Sequence, residues 1–134
     1  MILVDANILM YAGGADHPHK RPSIAFLERA ASGQVDAAIN AEILQEILHR
    51  YRSIGRWKDG RTVYDLARRI FPTVLPITAE VLDRAREILD EHEGLMARDA
   101  LHIAVVEING LAGICSFDRD FDQVSGVNRL EPQN

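Results

Sequence analysis

The chain has 134 residues, of which 47% are hydrophobic, which suits one compact domain over 1–134 with an ordinary core and excludes two domains. No apolar run approaches the roughly 18 residues needed to span a bilayer, and the opening Met-Ile-Leu-Val-Asp lacks the basic and apolar regions of a signal peptide. A cytoplasmic protein without membrane contact is expected. The net charge of −5 speaks against a polyanion partner only as a sum. Seven of the fifteen Lys and Arg side chains fall between Arg50 and Arg69 against two acids, Asp59 and Asp65, a local balance of +5. That strip is either a solvated helix face or a phosphate- or partner-contacting one.

Ile2-Leu3-Val4 reads as a buried strand ending at Asp5. A helix follows from about Pro22 to Ala31, with Ile24, Leu27 and Ala31 on one face and Gly33 to cap its end. Val35 to Ile39 is a second strand. Asn40 is a good N-cap for a helix that carries Ile43, Leu44, Ile47, Leu48 and Tyr51. Gly55 breaks it, and another helix spans about Trp57 to Ile70. Thr73 to Ile77 reads as a third strand, which Pro76 assigns to a sheet edge or a strand end. Thr78 caps a helix bearing Val81, Leu82, Ala85, Ile88 and Leu89. A further helix covers about Ala97 to Asn109, with Leu101, Ala104, Val105 and Ile108 on one stripe and Gly110 at its end. Ile114 to Ser116 and Val127 to Leu130 complete the strands. Cys115, the lone cysteine, reads as a small buried hydrophobe. Strands interleaved with helices imply a three-layer α/β/α sandwich around a mainly parallel sheet.

Ligands of open parallel sheets bind outside the carboxyl ends of the strands. Asp5 stands at one such end, with Asn7 two residues on, on the same face if the strand continues. Asp118 stands at another, with Asp120 and Asp122 behind it. Each acid has a plain structural reading as an N-cap or Asx-turn. Glu46 falls roughly 130° from the centre of its helix's apolar face at 100° per residue, so periodicity reads Glu42–Glu46–Arg50 as a solvated ladder and prefers neither acid. Asp99 complements a helix N-terminus. His102, three residues later, reads as a satisfied, partly buried histidine, and His17 and His19 as solvated residues leading into a helix. No zinc spacing occurs, and Gly13-Gly14 lacks the Lys and Ser/Thr of a phosphate loop.

The chain resembles the PIN-domain family, and within it the VapC-type toxins of toxin–antitoxin pairs. Ile-Leu-Val-Asp5-Ala-Asn7 is similar to the family's first motif, an apolar strand followed by Asp-x-Asn/Ser. Asn40-Ala-Glu-Ile-Leu-Gln-Glu46-Ile-Leu is similar to its second, and selects Glu46 over Glu42. Arg98-Asp99-Ala-Leu-His102-Ile-Ala resembles its third, and Ser116-Phe-Asp118-Arg-Asp-Phe121 its fourth. Asn40 stands where Ser or Thr is usual, and Ser116 where Thr is usual. The motifs cover essentially the whole chain in order.

The resemblance implies a PIN-like fold and a metal-dependent endoribonuclease, with Asp5 and Asp99 as direct ligands and Glu46 and Asp118 completing the site. Asn7 and Ser116 would orient the carboxylates. It also implies an RNA substrate, a VapB-like antitoxin partner and a homodimer, which the apolar helix Ile43–Tyr51 would serve. The chemistry agrees with that ligand set. Two like charges 4 Å apart repel by about 4 kcal/mol at an effective dielectric near 20, so four converging carboxylates need protons or a cation. Their hard oxygens suit Mg²⁺ or Mn²⁺. Asp120 or Asp122 could share the role of Asp118, and Arg98 and Arg119 could touch phosphate. Other readings are a PIN-like scaffold that binds RNA or protein without cutting, a PIN ribonuclease of RNA processing, and a phosphoryl-accepting Asp5, which would require a covalent aspartyl-phosphate.

Overall fold

The computed structural model describes residues 1–133. In chain order the elements are β1 (Ile2–Val4), α1 (Ala6–Gly13), α2 (Lys20–Ala31), β2 (Ala37–Asn40), α3 (Ala41–Ser53), α4 (Trp57–Ile70), β3 (Val74–Leu75), α5 (Ala79–Glu91), α6 (Ala97–Ile108), β4 (Gly113–Cys115), a 3₁₀ turn (Arg119–Gln123) and β5 (Arg129–Leu130). The strands form one sheet in the order β3-β2-β1-β4-β5, and every pairing is parallel. Helices cover both faces, so the expected three-layer α/β/α sandwich is the observed architecture.

Strand alternation divides the core. Val4, Ile39 and Cys115 face α1–α4 and pack with Ile8, Phe26, Ile43, Ile47, Tyr51 and Val63. Leu3 and Ile114 face the other way, onto Val81, Ala85, Ile88, Leu101, Ile103, Val105 and Phe121. Pro76 follows directly on β3, which is an edge strand as Pro76 requires. Gly33 and Gly110 hold positive φ, 80° and 62°, the left-handed turns that stop α2 and α6. No helix among the described residues is long and apolar enough to cross a membrane.

Three local expectations change. The strand does not continue past Val4: Asp5 caps α1, which begins at Ala6, so Asn7 reaches the site from a helical first turn rather than by strand alternation. On α2 the buried side chains are Pro22, Ser23, Phe26 and Leu27, whereas Ile24 and Ala31 are exposed. The packing surface there is set by α1 and α4, which periodicity within α2 does not reveal. On α6 the buried set is not a stripe but the unbroken run Ala100 to Val106, because α6 packs with α5 and with the strand residues Leu3 and Ile114 in one core cluster. Ile108 is exposed.

Candidate metal centre

The sheet order places β1 between β2 and β4, and the chain leaves these three strands for helices or a turn at their carboxyl ends. This is the switch point where open α/β sheets leave a crevice. Asp5 follows β1, Asn40 ends β2 and begins α3, and Ser116 to Asp118 follow β4. The first turn of α6 brings Asp99 over the same end. A cavity of about 390 Å³ opens there, and its lining includes Asp5, Asn7, Glu46, Asp99 and Asp118. Ser116 lies beneath, fully buried.

Asp5 is held at every polar atom. Its backbone N–H donates to Cys115 O at 3.0 Å, Oδ1 accepts from Ala6 N at 2.7 Å, and Oδ2 accepts from Ser116 Oγ at 2.6 Å. Ser116 Oγ in turn accepts from Asn7 Nδ2 at 3.1 Å and from Asp118 N at 3.0 Å. One donated and two accepted bonds use the full capacity of a hydroxyl. Ser116 is thus the hub joining the β1 acid to the β4 acid. Asp118 also caps the 3₁₀ turn, its Oδ1 accepting from Asp120 N at 2.9 Å. The plain reading of Asp5 and Asp118 as caps is realised, and capping uses one oxygen of each, so it does not exclude the site reading.

Glu46 overturns its solvated reading. It is buried, and its Oε1 accepts from His102 Nε2 at 2.9 Å, with Arg98 Nε at 3.4 Å. α3 has two working faces: the apolar one, and a second formed by Glu46, His49, Arg50 and Ser53, which lines the cavity. Glu42 is half-buried and stands 3.8 Å from Arg98. His102 is more buried than expected, at 1% exposure, and is fully bonded, since Nδ1 also meets Asn40 Nδ2 at 2.9 Å.

The ligand-bearing atoms fall into two groups. Asp5, Glu46 and His102 have atoms within 4.8 Å of one another, and so do Asp99, Asp118 and Asp120. The four predicted acids therefore share one cavity but divide between a buried and an open side. Burial lifts the Asp5 carboxyl above its usual range, opposed by the bond from Ser116. Burial, then the Asp118 and Asp5 charges, push Asp99 up to about 6. Asp120 belongs to the open group, a place that the crowding of three acids left undecided. Asp122 does not: Arg129 Nε binds it at 2.9 Å and holds its carboxyl below the usual range.

The residues fit a hard divalent cation. The donors are carboxylate oxygens; the Asp5 and Asp99 carboxyls are raised in pKa by burial and by neighbouring acid charges, and Asn7 Oδ1, at the cavity wall, is buried without any hydrogen-bond partner. An orphaned oxygen beside four acids calls for a cation or its water.

The other candidates spread apart. Arg98 lines the cavity and Arg119 does not. Of the basic strip, Arg50 lines it, Arg56 pairs with Asp59 at 2.8 Å, and Arg52 lies 4.8 Å over the Trp57 ring; the strip is not one face. His19 is half-buried and stacks on Phe117 at 3.8 Å instead of being solvated, while His17 is exposed. The buried Cys115 thiol is pushed up to about 12 by its surroundings, as a structural cysteine is.

Residues 2–127 match the family model described as "PIN domain". The chain is 45% identical over 130 residues to "Ribonuclease VapC13" of Mycobacterium tuberculosis, covering 97% of this chain and 99% of that one. Its fold is similar to the crystal structure of Mycobacterium tuberculosis VapC20, titled a sarcin-ricin loop cleaving toxin, with TM-score 0.75, 20% identity and coverage of 96% and 97%. It is also similar to a toxin–antitoxin complex from Klebsiella pneumoniae, with TM-score 0.69, 21% identity and 96% coverage of each chain.

Proposed function

This chain belongs to the PIN-domain family, and from that premise we propose that it acts, as one domain over 1–134, as the endoribonuclease toxin of a VapBC-type toxin–antitoxin pair. The observation that carries the site reading is the convergence of Asp5, Glu46, Asp99 and Asp118 on one cavity at the sheet's switch point. The substrate is RNA, the cation Mg²⁺ or Mn²⁺, and the location the cytoplasm, where a reduced, buried Cys115 belongs.

Bound there, a divalent cation would neutralise the acids, make a water nucleophilic and stabilise charge on the phosphoryl group under attack. The chain's own residues do the rest. Asp5 and Asp99 serve as direct ligands, with Glu46 and Asp118 completing the set. Ser116 fixes the angle of Asp5 and the position of the Asp118 backbone, and Asn7 braces Ser116. Burial and the Asp118 and Asp5 charges push the Asp99 carboxyl up to about 6, a shift that a bound cation would oppose. Arg98 and Arg50, which both line the cavity, are placed to meet the phosphates of a bound strand. Hydrolysis then joins the water oxygen to phosphorus and breaks one bridging P–O bond, and the departing oxygen takes up a proton.

The antitoxin is a VapB-like protein. For the homodimer, the support expected from α3 falls away, because Ile43, Leu44, Ile47 and Tyr51 are consumed by the chain's own core. Exposed Leu82 and Met96, which line a second cavity together with Arg98, are the most exposed large hydrophobic side chains among the described residues and are our candidate surface for it.

The deciding experiment is cleavage of single-stranded RNA with Mg²⁺ or Mn²⁺, abolished by chelator and by Asp99→Asn. Metal binding without cleavage, in a protein that still binds RNA, would favour the non-cutting scaffold. Cleavage that survives Asp99→Asn would remove that residue from the site.

A further inference from the structure

Asn40, His102 and Glu46 form a buried chain of hydrogen bonds that the ligand set does not require. The three are 0%, 1% and 8% exposed, and they come from the end of β2, the middle of α6 and the second turn of α3. The direction of each bond can be deduced. Asn40 Oδ1 accepts from Ile43 N at 2.9 Å, the capping bond of α3, so its other amide atom, Nδ2, faces the imidazole. That atom only donates, and His102 Nδ1 at 2.9 Å must therefore accept. A ring that accepts at Nδ1 carries its proton on Nε2, and Nε2 donates to Glu46 Oε1 at 2.9 Å.

We infer that His102 is a positioning residue for Glu46: Asn40 fixes the imidazole as the Nε2–H tautomer, and that N–H occupies Oε1 so that Oε2 is the oxygen left to serve the cavity. This rests on the metal reading of the site. It also gives a reason for Asn at position 40. A Ser or Thr would cap α3 with one oxygen, whereas the amide caps with one atom and orients His102 with another. The same bonding excludes His102 as a ligand, although its ring lies within 4.8 Å of the Asp5 and Glu46 oxygens: with Nδ1 accepting and Nε2 protonated, no lone pair remains. Burial lowers the ring's pKa, but the hydrogen bond to Glu46 and the Asp5 and Glu46 charges raise it overall. A second proton would nevertheless have to displace the Asn40 N–H from Nδ1, and on that geometry we assign the neutral ring.

The test uses the full chain and Mn²⁺ alone as probe. In metal-free protein carrying ¹⁵N-histidine, His102 is expected to show an unprotonated Nδ1 and a solvent-protected Nε2–H. Asn40→Asp keeps the cap, since Asp caps as well as Asn, but turns a donor into an acceptor, and should protonate Nδ1 at the same pH. By calorimetry, His102→Gln, whose amide N–H can replace Nε2–H, should keep Mn²⁺ affinity close to that of the unaltered protein. His102→Leu should weaken it by about 10-fold, the lower end for loss of a residue that orients a ligand. Should His102→Leu fail to fold, Asn40→Asp and His102→Gln still decide. Unchanged His102 nitrogen shifts in Asn40→Asp, or unaltered Mn²⁺ binding in a folded His102→Leu protein, would overturn the inference. Failure of the unaltered protein to bind Mn²⁺ would instead overturn the metal reading, and this inference with it.

Discussion

The two sides of the cavity are built on opposite principles. On the buried side, Asp5 and Glu46 each accept short hydrogen bonds from neutral groups, Ser116 and His102, whose own remaining bonds are fixed by Asn7, the Asp118 N–H and Asn40. On the open side, Asp99, Asp118 and Asp120 face one another with mutual repulsion. A carboxylate held by neutral donors keeps its geometry whether or not a cation is present. A carboxylate held against like charges is poised only when one arrives. The buried side thus supplies preorganisation and the open side supplies the demand for metal. The two should respond differently to substitution, pH and metal.

The largest effect belongs to the open side. Asp99→Asn keeps the shape of the side chain and removes the charge of a proposed ligand, so cleavage with saturating Mn²⁺ should fall by at least about 100-fold, beyond the cost of losing a ligand's supporting partner. The same variant should raise the melting temperature in chelator, since it relieves a half-buried carboxylate of the Asp118 and Asp5 charges. Lost activity with gained stability is the signature of a strained functional residue. A lower melting temperature in Asp99→Asn would show the open side to be a structural cluster.

Acid should act as the cation does. Asp99 rises from 3.8 in the unfolded reference to about 6 in the fold, so its protonated form is favoured by folding. A raised folded pKa contributes stability that is full below the unfolded value and is lost as pH climbs through the folded one. Burial shifts Asp5 in the same direction. In chelator the melting temperature should therefore climb as pH drops from 7 towards 5, and saturating Mn²⁺ should flatten or reverse that slope. A metal-free protein that loses stability over this interval would contradict the assigned environment of Asp99.

Ser116→Ala tests the buried side. It strips a partner from Asp5 Oδ2, Asn7 Nδ2 and the Asp118 N–H together, and each buried polar group left unpaired costs about 1–3 kcal/mol. Here stability should fall, with or without Mn²⁺, opposite in sign to Asp99→Asn. Equal signs for the two variants, read by thermal melts in chelator, would erase the distinction between the sides.

The same division governs what was legible in the sequence. Asp5 and Asp118 sit where apolar strands end, a signal carried by three or four neighbouring residues, and the sheet's topology then brings them together. Glu46 was illegible locally. Its burial depends on His102, 56 positions away, and periodicity within α3 registers only the face turned to the sheet and α4. The resemblance to a known family selected Glu46 where spacing did not. α1 is hidden in the sequence because only Asp5-Ala6-Asn7 separates Val4 from Ile8-Leu9, too short an interruption to mark the change of period. The sequence reads His102 as only partly buried, because nothing in its own helix announces the amide of Asn40.

The smallest expected effect lies outside both sides, on the cavity wall. Arg50 occupies the second face of α3, one turn beyond Glu46, and is the member of the Arg50–Arg69 strip that lines the cavity of the acids. If the strip served as one continuous phosphate track, several of its cations would matter alike. Arg52 over Trp57 and Arg56 bound to Asp59 are instead engaged elsewhere. Arg50→Ala should weaken single-stranded RNA binding uniformly across sequences and lower the slope of log affinity against log salt by about 1. Turnover at saturating RNA should be nearly unchanged. Arg68→Ala, at the far end of α4, should alter neither quantity. Fluorescence anisotropy over a salt series, in chelator so that no cleavage intervenes, separates the cases. An equal loss from both variants would restore the strip as a single RNA-binding face, and no loss from either would leave the phosphates to Arg98 and the cation.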